Sequence, residues 1–333
     1  MPVSPAGALR RPEVVAVVGA TATGKSKLAL DLAEALGGEI VNADALQLYR
    51  GMDIGTAKVP VTERRGIPHH QLDVLEVTQE ASVAAYQQGS RADIAGILGH
   101  GRVPVLVGGS GLYVRAALDH LEIPPTDPAV RRRLEGEAAL QGPAAMYQRL
   151  RARDPVAAHE IQPNNVRRVV RALEVIELTG RAFSATMPAR EFVRPTVVIG
   201  LALDREELDA RIDARVDRMW EAGLVEEVRG LERLGLREGR TASRALGYAQ
   251  ALAQIDGTMS EQQARRDTAQ ATRRFARRQE SWFRPDPRIH WLDVSRETGG
   301  PAEAAGPSEA GAALLHRALA IVRGTVGDNG PHG

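Results

Sequence analysis

Short apolar runs alternate with helical patterns through the first third of the chain. Val14–Val18, Glu39–Val41 and Val103–Val107 are compact and β-like. Between them, Lys27–Leu36 and Ser82–Leu98 repeat apolar residues at helical spacing. This alternation predicts an α/β fold, a parallel sheet flanked by helices with ligand sites at the carboxyl ends of its strands. The three runs lead into Gly19–Ser26, Asn42-Ala43-Asp44 and Gly108-Gly109-Ser110-Gly111, so these segments are expected to meet at one end of the sheet.

The texture changes after about His120. Pro124-Pro125-Thr126-Asp127-Pro128 breaks the chain, and Ala129–Thr179 reads as several charged helices. Thr196–Leu203 then returns as an apolar β-like run. Residues 121–190 are therefore expected to form a helical insertion domain within an α/β core made of 13–120 and 191–295. Asp204–Leu234 reads as one long helical stretch, and Ser260 to about Phe283 as another. Residues 1–12 are rich in Pro, Ala and Arg and read as a disordered extension. Residues 296–333 read as a loose linker, a short helix capped by Ser308 and ending near Arg323, and a disordered tail.

Composition narrows the class. The 333 residues are 43% hydrophobic, enough for a proper core, and the formal net charge is only +1. With no cysteine, disulfides and thiolate metal sites are excluded. The absence of a long apolar run and of a signal-peptide pattern leads to the expectation of a soluble cytoplasmic protein, by default a monomer. Basic residues are almost all arginine; the only lysines are Lys25, Lys27 and Lys58. The last two read either as solvated surface lysines or as residues with a role, and the sequence favours neither.

Gly19-Ala20-Thr21-Ala22-Thr23-Gly24-Lys25-Ser26 fits the phosphate-loop pattern G-x-x-x-x-G-K-[ST]. A strand-like run before it and a helical pattern after it supply the context that the pattern requires. The sheet is thus expected to be P-loop NTPase-like. Glycines let backbone N–H groups converge on phosphate oxygens, and a helix N-terminus adds partial positive charge. Lys25 can reach a terminal phosphate, and the Ser26 hydroxyl can ligate Mg²⁺. Asp44, after the second strand, is placed either to accept a proton from a nucleophile or to cap a helix. Ser110 follows the third strand, where many nucleotide hydrolases carry an aspartate for Mg²⁺; it can donate to a phosphate or bridging oxygen, or merely sit in a Gly-rich turn.

Three basic clusters stand out. They are Arg131–Arg133, the helix start Asn164–Arg171, and Arg273, Arg274, Arg277 and Arg278, interleaved with Phe275, Trp282 and Phe283. Charge runs are usually solvated faces, but arginines among aromatics favour nucleic acid. Arg211 and Arg215 lie four apart on a helix and can point together at a diphosphate or flank surface acids. His69-His70 reads as a structural pair, because adjacent side chains diverge and no third metal ligand has suitable spacing.

These stretches resemble the tRNA dimethylallyltransferases, also called tRNA isopentenyltransferases. The matching segments are Gly19–Ser26, Ala43–Lys58, Pro68–Asp73, Val107–Tyr113, Asn165–Glu174, Gly247-Tyr248 and Thr272–Phe283, in family order over about residues 13–293. Ala43–Lys58 is the most specific. The resemblance implies transfer of a dimethylallyl group from dimethylallyl diphosphate to the exocyclic N6 of the adenosine immediately 3′ of the anticodon, with release of diphosphate and help from Mg²⁺. It assigns the diphosphate to the loop from Gly19 to Ser26, with Arg215 as a further cation. It puts Ser110 near the bridging oxygen and makes Asp44 the group that orients N6 and takes its proton. It also implies tRNA contacts by Asp44, Ala45, Leu46, Gln47, Arg131, Arg167, Arg168, Arg171, Arg244, Gly247, Tyr248, Arg277, Arg278, Gln279, Trp282 and Arg284.

The chain departs from the family pattern at several positions. Asn42 and Ala45 replace common serines, Ser110 replaces a threonine, and Ala249-Gln250 replaces a common Lys-Glu pair. Ser110 keeps the hydroxyl, whereas Ala45 and Ala249 remove polar groups available to tRNA. Rival readings are an adenylate isopentenyltransferase acting on free nucleotides, a P-loop small-molecule kinase, and a non-catalytic RNA-binding protein with a vestigial loop.

Overall fold

A computed structural model describes residues 12–184, 190–295 and 309–324. The expected disorder of residues 1–11, the 296–308 linker with its Ser308 cap, and the tail from 325 lie outside the described residues. Six strands form one all-parallel sheet: β1 (Val14–Gly19), β2 (Glu39–Asn42), β3 (His69–His70), β4 (Pro104–Gly108), β5 (Thr196–Ala202) and β6 (Ile289–Asp293). The order across the sheet is β3-β2-β4-β1-β5-β6. All six β1 residues are buried, as a central strand covered on both faces requires. The apolar runs predicted as strands are β1, β2, β4 and β5.

The two edge strands were not predicted. β3 is only two residues long, and β6 buries Ile289 and Leu292 among more exposed positions. His69 and His70 carry their side chains to different partners, the Ile67 carbonyl at 2.8 Å and the Glu39 carboxylate at 2.7 Å. Among the described residues no group of three or more His, Cys, Asp or Glu could hold a metal.

Helices α1 (Lys25–Leu36), α2 (Val83–Gly99) and α3 (Gly111–Leu118) follow β1, β3 and β4. Leu28, Ala29, Leu32 and Ala33 form the buried stripe of α1, and Gly37 ends it in a left-handed cap. Ser82 caps α2 through the Ala85 amide.

A second compact unit, Asp119–Val193, contains α4 (Pro128–Arg153), α5 (Pro155–Glu160) and α6 (Val166–Thr179). Its own core includes Leu134, Met146, Leu150, Val169 and Leu173. Asp127 caps α4, and Gly142-Pro143 interrupts it, with Gly142 at φ 82°. Glu174 is fully buried here, and it accepts hydrogen bonds from Arg131, Arg171 and the Asp127 amide.

The remainder of the first unit holds α7 (Arg205–Glu221), α8 (Leu224–Glu232), α9 (Tyr248–Ile255), α10 (Glu261–Phe283) and α11 (Glu309–Val322). The single long helix expected over Asp204–Leu234 is two helices. Gly223, at φ 94°, takes the left-handed conformation that ends α7 and starts α8. Helical periodicity alone could not show that break, because the apolar spacing resumes in α8. α10 begins at the Ser260 cap, with Gln263 completing a capping box. α11 packs against α1, β5 and β6. Among the described residues no helix is long and apolar enough to cross a membrane.

Candidate active site at the carboxyl ends of the strands

The loop after β1 is built by its small residues. Gly19 has φ 136°, and a Cβ there would lie 2.7 Å from the Leu201 carbonyl oxygen of the neighbouring strand. Only glycine meets both demands. Gly24, at φ 91°, turns the chain into α1. The Thr23 hydroxyl and the Lys25 ammonium both donate to the Ala20 carbonyl, at 2.8 and 2.5 Å. The lysine thus folds over its own loop, at the start of α1, where the helix presents unpaired N–H groups. Burial, reinforced by the nearby Arg215 guanidinium and only partly offset by Asp44, lowers the Lys25 pKa to about 7. Arg215, reaching in from α7, donates to the Thr21 hydroxyl at 3.3 Å.

Asp44 does not cap a helix. Its Oδ1 accepts the Leu46 amide at 3.0 Å, the geometry of an Asx turn, and no regular helix follows. Asn42 holds it from the strand side: Asn42 Oδ1 accepts the Asp44 amide at 3.0 Å, and Asn42 Nδ2 donates to the carbonyls of Asp44 and Gln71. The asparagine that departs from the family serine therefore ties this turn to the Gln71 carbonyl. Burial raises the Asp44 pKa, with the Leu46 amide and Lys25 acting in the opposite direction.

Ser110 closes the arrangement. Its amide donates to the Ala43 carbonyl at 3.3 Å, and its Oγ accepts the Ala45 amide at 3.2 Å. Gly108 must be glycine for the same approach, since a Cβ there would lie 2.2 Å from the Ala43 oxygen. Tyr86 and Tyr113 pack in contact nearby, ring centroids 4.6 Å apart, and the Tyr86 hydroxyl donates to the Asn42 carbonyl. The three segments expected to meet do meet. Asp44 and Ser110 share a loop contact, and Lys25 lies within electrostatic reach of Asp44.

A cavity of about 500 Å³ opens beside Arg215. Arg64, Arg215 and Arg218 supply cations to it, and Ile54, Val59 and Met219 supply apolar wall. Its floor rests on Lys58, which is not a surface lysine. The Lys58 residue is 7% exposed, and its ammonium donates to Asp53 and Asp73 at 2.6 Å each and to the Tyr49 carbonyl at 2.9 Å. Glu227 of α8 accepts the amides of Asp53 and Ile54 and the Tyr248 hydroxyl, the last at 2.5 Å. Sequence reasoning missed both clamps; the one signal for Lys58 was its rarity in an arginine-rich chain. Lys27, by contrast, makes an ordinary pair with Asp31 one turn along α1.

The basic residues divide into two kinds. On α10, Arg277 and Arg278 are exposed and have no ion-pair partner among the described residues. Arg278 lies 5.8 Å from the Phe275 ring centroid, and Arg284 lies 5.3 Å from that of Trp291. Trp282 is 41% exposed, although its indole covers Gly111, where a Cβ would lie 1.9 Å from the ring. Arg244 is also exposed. In the second unit, Arg167 and Arg168 project from the first turn of α6 without ion pairs among the described residues. Arg131 and Arg171 are instead held by the buried Glu174, with Arg171 also donating to the carbonyls of Pro124 and Pro125. Tyr248 is fully buried, behind Gly247 at φ 86°. In the Asp44 turn, Gln47 spends its side-chain amide on the carbonyls of Thr56 and Ala57, and Ala45 and Leu46 contribute half-buried apolar surface.

Mg²⁺ has one protein ligand to consider. Ser26 sits at the first turn of α1, and its hydroxyl has no protein hydrogen-bond partner among the described residues. With no carboxylate cluster beside it among those residues, the donor set fits an ion that takes its other ligands from phosphate and water, the usual preference of Mg²⁺.

Residues 47–286 match the family model described as IPP transferase, and residues 12–80 match that described as isopentenyl transferase. The chain belongs to the IPP transferase family. A curated relative from Streptomyces avermitilis named tRNA dimethylallyltransferase is 63% identical over 281 residues, covering 84% of this chain and 90% of that one. A relative of the same name from Streptomyces griseus is 56% identical over 315 residues, covering 95% and 97%. Among solved structures, the tRNA isopentenylpyrophosphate transferase of Bacillus halodurans is similar at a TM-score of 0.66 and 36% identity, covering 93% of this chain and 97% of that one. A eukaryotic dimethylallyltransferase acting on tRNA reaches a TM-score of 0.74 at 28% identity, over 85% and 74%. The family members thus share the sheet and its P-loop-like arrangement with this chain.

Proposed function

We propose that the chain transfers a dimethylallyl group from dimethylallyl diphosphate to N6 of the adenosine immediately 3′ of the anticodon in tRNA. The observation that carries this reading is the junction of Asp44, Ser110 and the loop containing Lys25, in a chain of the IPP transferase family. The bond that forms joins N6 to the allylic carbon, and the bond that breaks is that carbon's link to the bridging oxygen. Diphosphate leaves with the electron pair, and one N6 proton goes to the protein.

Backbone amides of the loop, Lys25 and Arg215 stabilise charge that develops on the leaving group. A bound diphosphate favours the ammonium form of Lys25, opposing the burial that lowers its pKa. Ser26 would hold Mg²⁺, which when bound would supply further positive charge to the developing diphosphate. The Ser110 oxygen accepts from Ala45 and keeps its own hydrogen to donate, in this reading to the bridging oxygen. Asp44 is fixed by Asn42 and Leu46 to receive the N6 proton, and a carboxylate whose pKa burial has raised is a better base than an exposed one. The cavity beside Arg215 joins cations to apolar wall, which suits an amphiphilic diphosphate.

The adenine must leave its stack to reach Asp44, at a cost of a few kcal/mol. The exposed Arg244, Arg277 and Arg278, with Trp282, offer phosphate contacts and a stacking surface on the first unit, and Arg167 and Arg168 offer phosphate contacts on the second. Arg131 and Arg171 are held by Glu174 within the second unit, Tyr248 by Glu227 and Gln47 by the Thr56 carbonyl in the first. We place the enzyme in the cytoplasm with its tRNA, as a monomer. The free-nucleotide and kinase readings leave the unpaired arginines without a role. A competition assay tests the choice. With labelled dimethylallyl diphosphate, an anticodon stem-loop containing A-A-A should take the label in preference to equimolar AMP; preferential labelling of AMP contradicts the reading.

A further inference from the structure

A buried glutamine lies among the exposed arginines of α10. Gln279 is 4% exposed, whereas Arg277 and Arg278 beside it face solvent. Its Nε2 donates to the Gly109 carbonyl at 2.9 Å, and its Oε1 accepts the Thr21 amide at 2.8 Å. One side-chain amide therefore spans the loop after β1 and the loop after β4. A Cβ at Gly109 would lie 2.1 Å from Nε2, so the approach depends on glycine there. The Thr21 amide is committed to Gln279, while the Thr21 hydroxyl accepts from Arg215. Gln279 thus orients Thr21, and through Thr21 it bears on Arg215, from a position inside the protein.

We propose that Gln279 is a positioning residue for the transfer, setting the separation between the loop that grips the diphosphate and the loop that carries Ser110. This rests on the diphosphate reading above. It separates Gln279 from its helix neighbours: they serve RNA, and it serves the leaving group. The amide satisfies one donor and one acceptor at once. Removing it leaves the Thr21 N–H and the Gly109 carbonyl without partners in a site that water reaches poorly. A loop freed in this way loses alignment, and small misplacements are costly to transfer rates.

Two variants grade the effect. Gln279→Glu keeps an acceptor for Thr21 and removes the donor to Gly109, and Gln279→Met keeps similar volume and removes both. Each is measured for melting temperature, for binding of magnesium pyrophosphate with and without stem-loop RNA, for RNA affinity, and for steady-state transfer. In Gln279→Met, pyrophosphate affinity should fall and KM for dimethylallyl diphosphate should rise by about tenfold or more, with kcat reduced. Gln279→Glu, which sets a carboxylate against the Gly109 carbonyl and near the diphosphate, should lose at least as much, and RNA affinity should stay within about twofold in both. Gly109→Ala, which displaces the same amide from the other side, should reproduce the loss. Unchanged pyrophosphate affinity in variants that still bind RNA overturns the proposal, as does a lowered melting temperature with both affinities intact. Loss of RNA affinity alone also overturns it, and makes Gln279 an RNA contact. A parent protein that binds RNA and fails to bind pyrophosphate overturns the diphosphate reading, and this inference with it.

Discussion

The Ser110 hydroxyl accepts the Ala45 amide hydrogen at 3.2 Å, so the loop after β4 is fastened to the turn that carries Asp44. The contact leaves the Ser110 proton free to donate elsewhere, and it ties the Asp44 turn to the end of β4. In the proposed reaction the base for N6 and the donor for the leaving oxygen are thereby held by one hydrogen bond.

Asp44→Asn keeps the turn, since an amide oxygen can still accept from Leu46, and it removes the base. Single-turnover transfer should slow by about 10²–10⁴-fold, the usual contribution of a positioned general base. RNA affinity should be nearly unchanged. Rapid-quench kinetics and a filter-binding titration read the two separately, and a variant that turns over near the parent rate rules out the proton-accepting role.

Lys25 gives a pH dependence whose sign follows from its depressed pKa of about 7. Above that pH the ligand-free protein loses the ammonium, while the unfolded chain keeps its proton up to the ordinary lysine range. Stability therefore rises with pH across the window from about 7 to the lysine value, because the unfolded state binds more protons there. Diphosphate affinity moves the other way, falling as pH rises through 7 and requiring proton uptake above it. Lys25→Arg stays charged throughout, so the ratio of parent to variant affinity for pyrophosphate should decline with pH. Calorimetry in buffers of different ionisation enthalpy measures the proton uptake.

Much of this arrangement is legible in the amino-acid sequence. The Gly-Lys-Ser motif, the Asp44 block and the apolar runs give the central strands, the phosphate loop and its order, because each rests on local chemistry within a few residues. The parts that escaped are settled at long range. Gly223 breaks a helix whose apolar spacing continues on either side. β6 becomes a strand only through its pairing with β5. Gln279 looks like one more polar residue in a basic helix, yet it meets Thr21 and Gly109, which are far away in sequence. Arg131 and Arg171 looked equivalent to Arg167 and Arg168, and only the buried Glu174 tells them apart.

That difference predicts two phenotypes for arginine removal. Arg277→Ala with Arg278→Ala should weaken RNA binding and reduce the slope of log K against log salt by about 1–2. Arg171→Ala strands part of the charge on the buried Glu174 and should lower thermal stability by several degrees, whatever the salt. Salt-dependent binding isotherms and melting curves on both proteins separate the two; identical salt slopes would make the α10 arginines a solvated face.

Lys58 should behave as a structural cation. Lys58→Met leaves Asp53 and Asp73 facing each other at the cavity floor. Because both carboxylates are partly exposed, the loss should be about 2–3 kcal/mol, below the usual cost of breaking a fully buried pair. Urea unfolding measures it, and a midpoint equal to that of the parent would show the clamp to be dispensable.

In the proposed reaction the phosphate loop grips a leaving group, and the acceptor is a single tRNA base. Incubation with dimethylallyl diphosphate, Mg²⁺ and an anticodon stem-loop, followed by nuclease digestion and mass spectrometry, tests it directly. The expected product carries one dimethylallyl group on N6 of the adenosine 3′ of the anticodon, with one diphosphate released per modified base. A stem-loop that emerges unmodified while the protein consumes ATP, or while it prenylates free AMP, would contradict it.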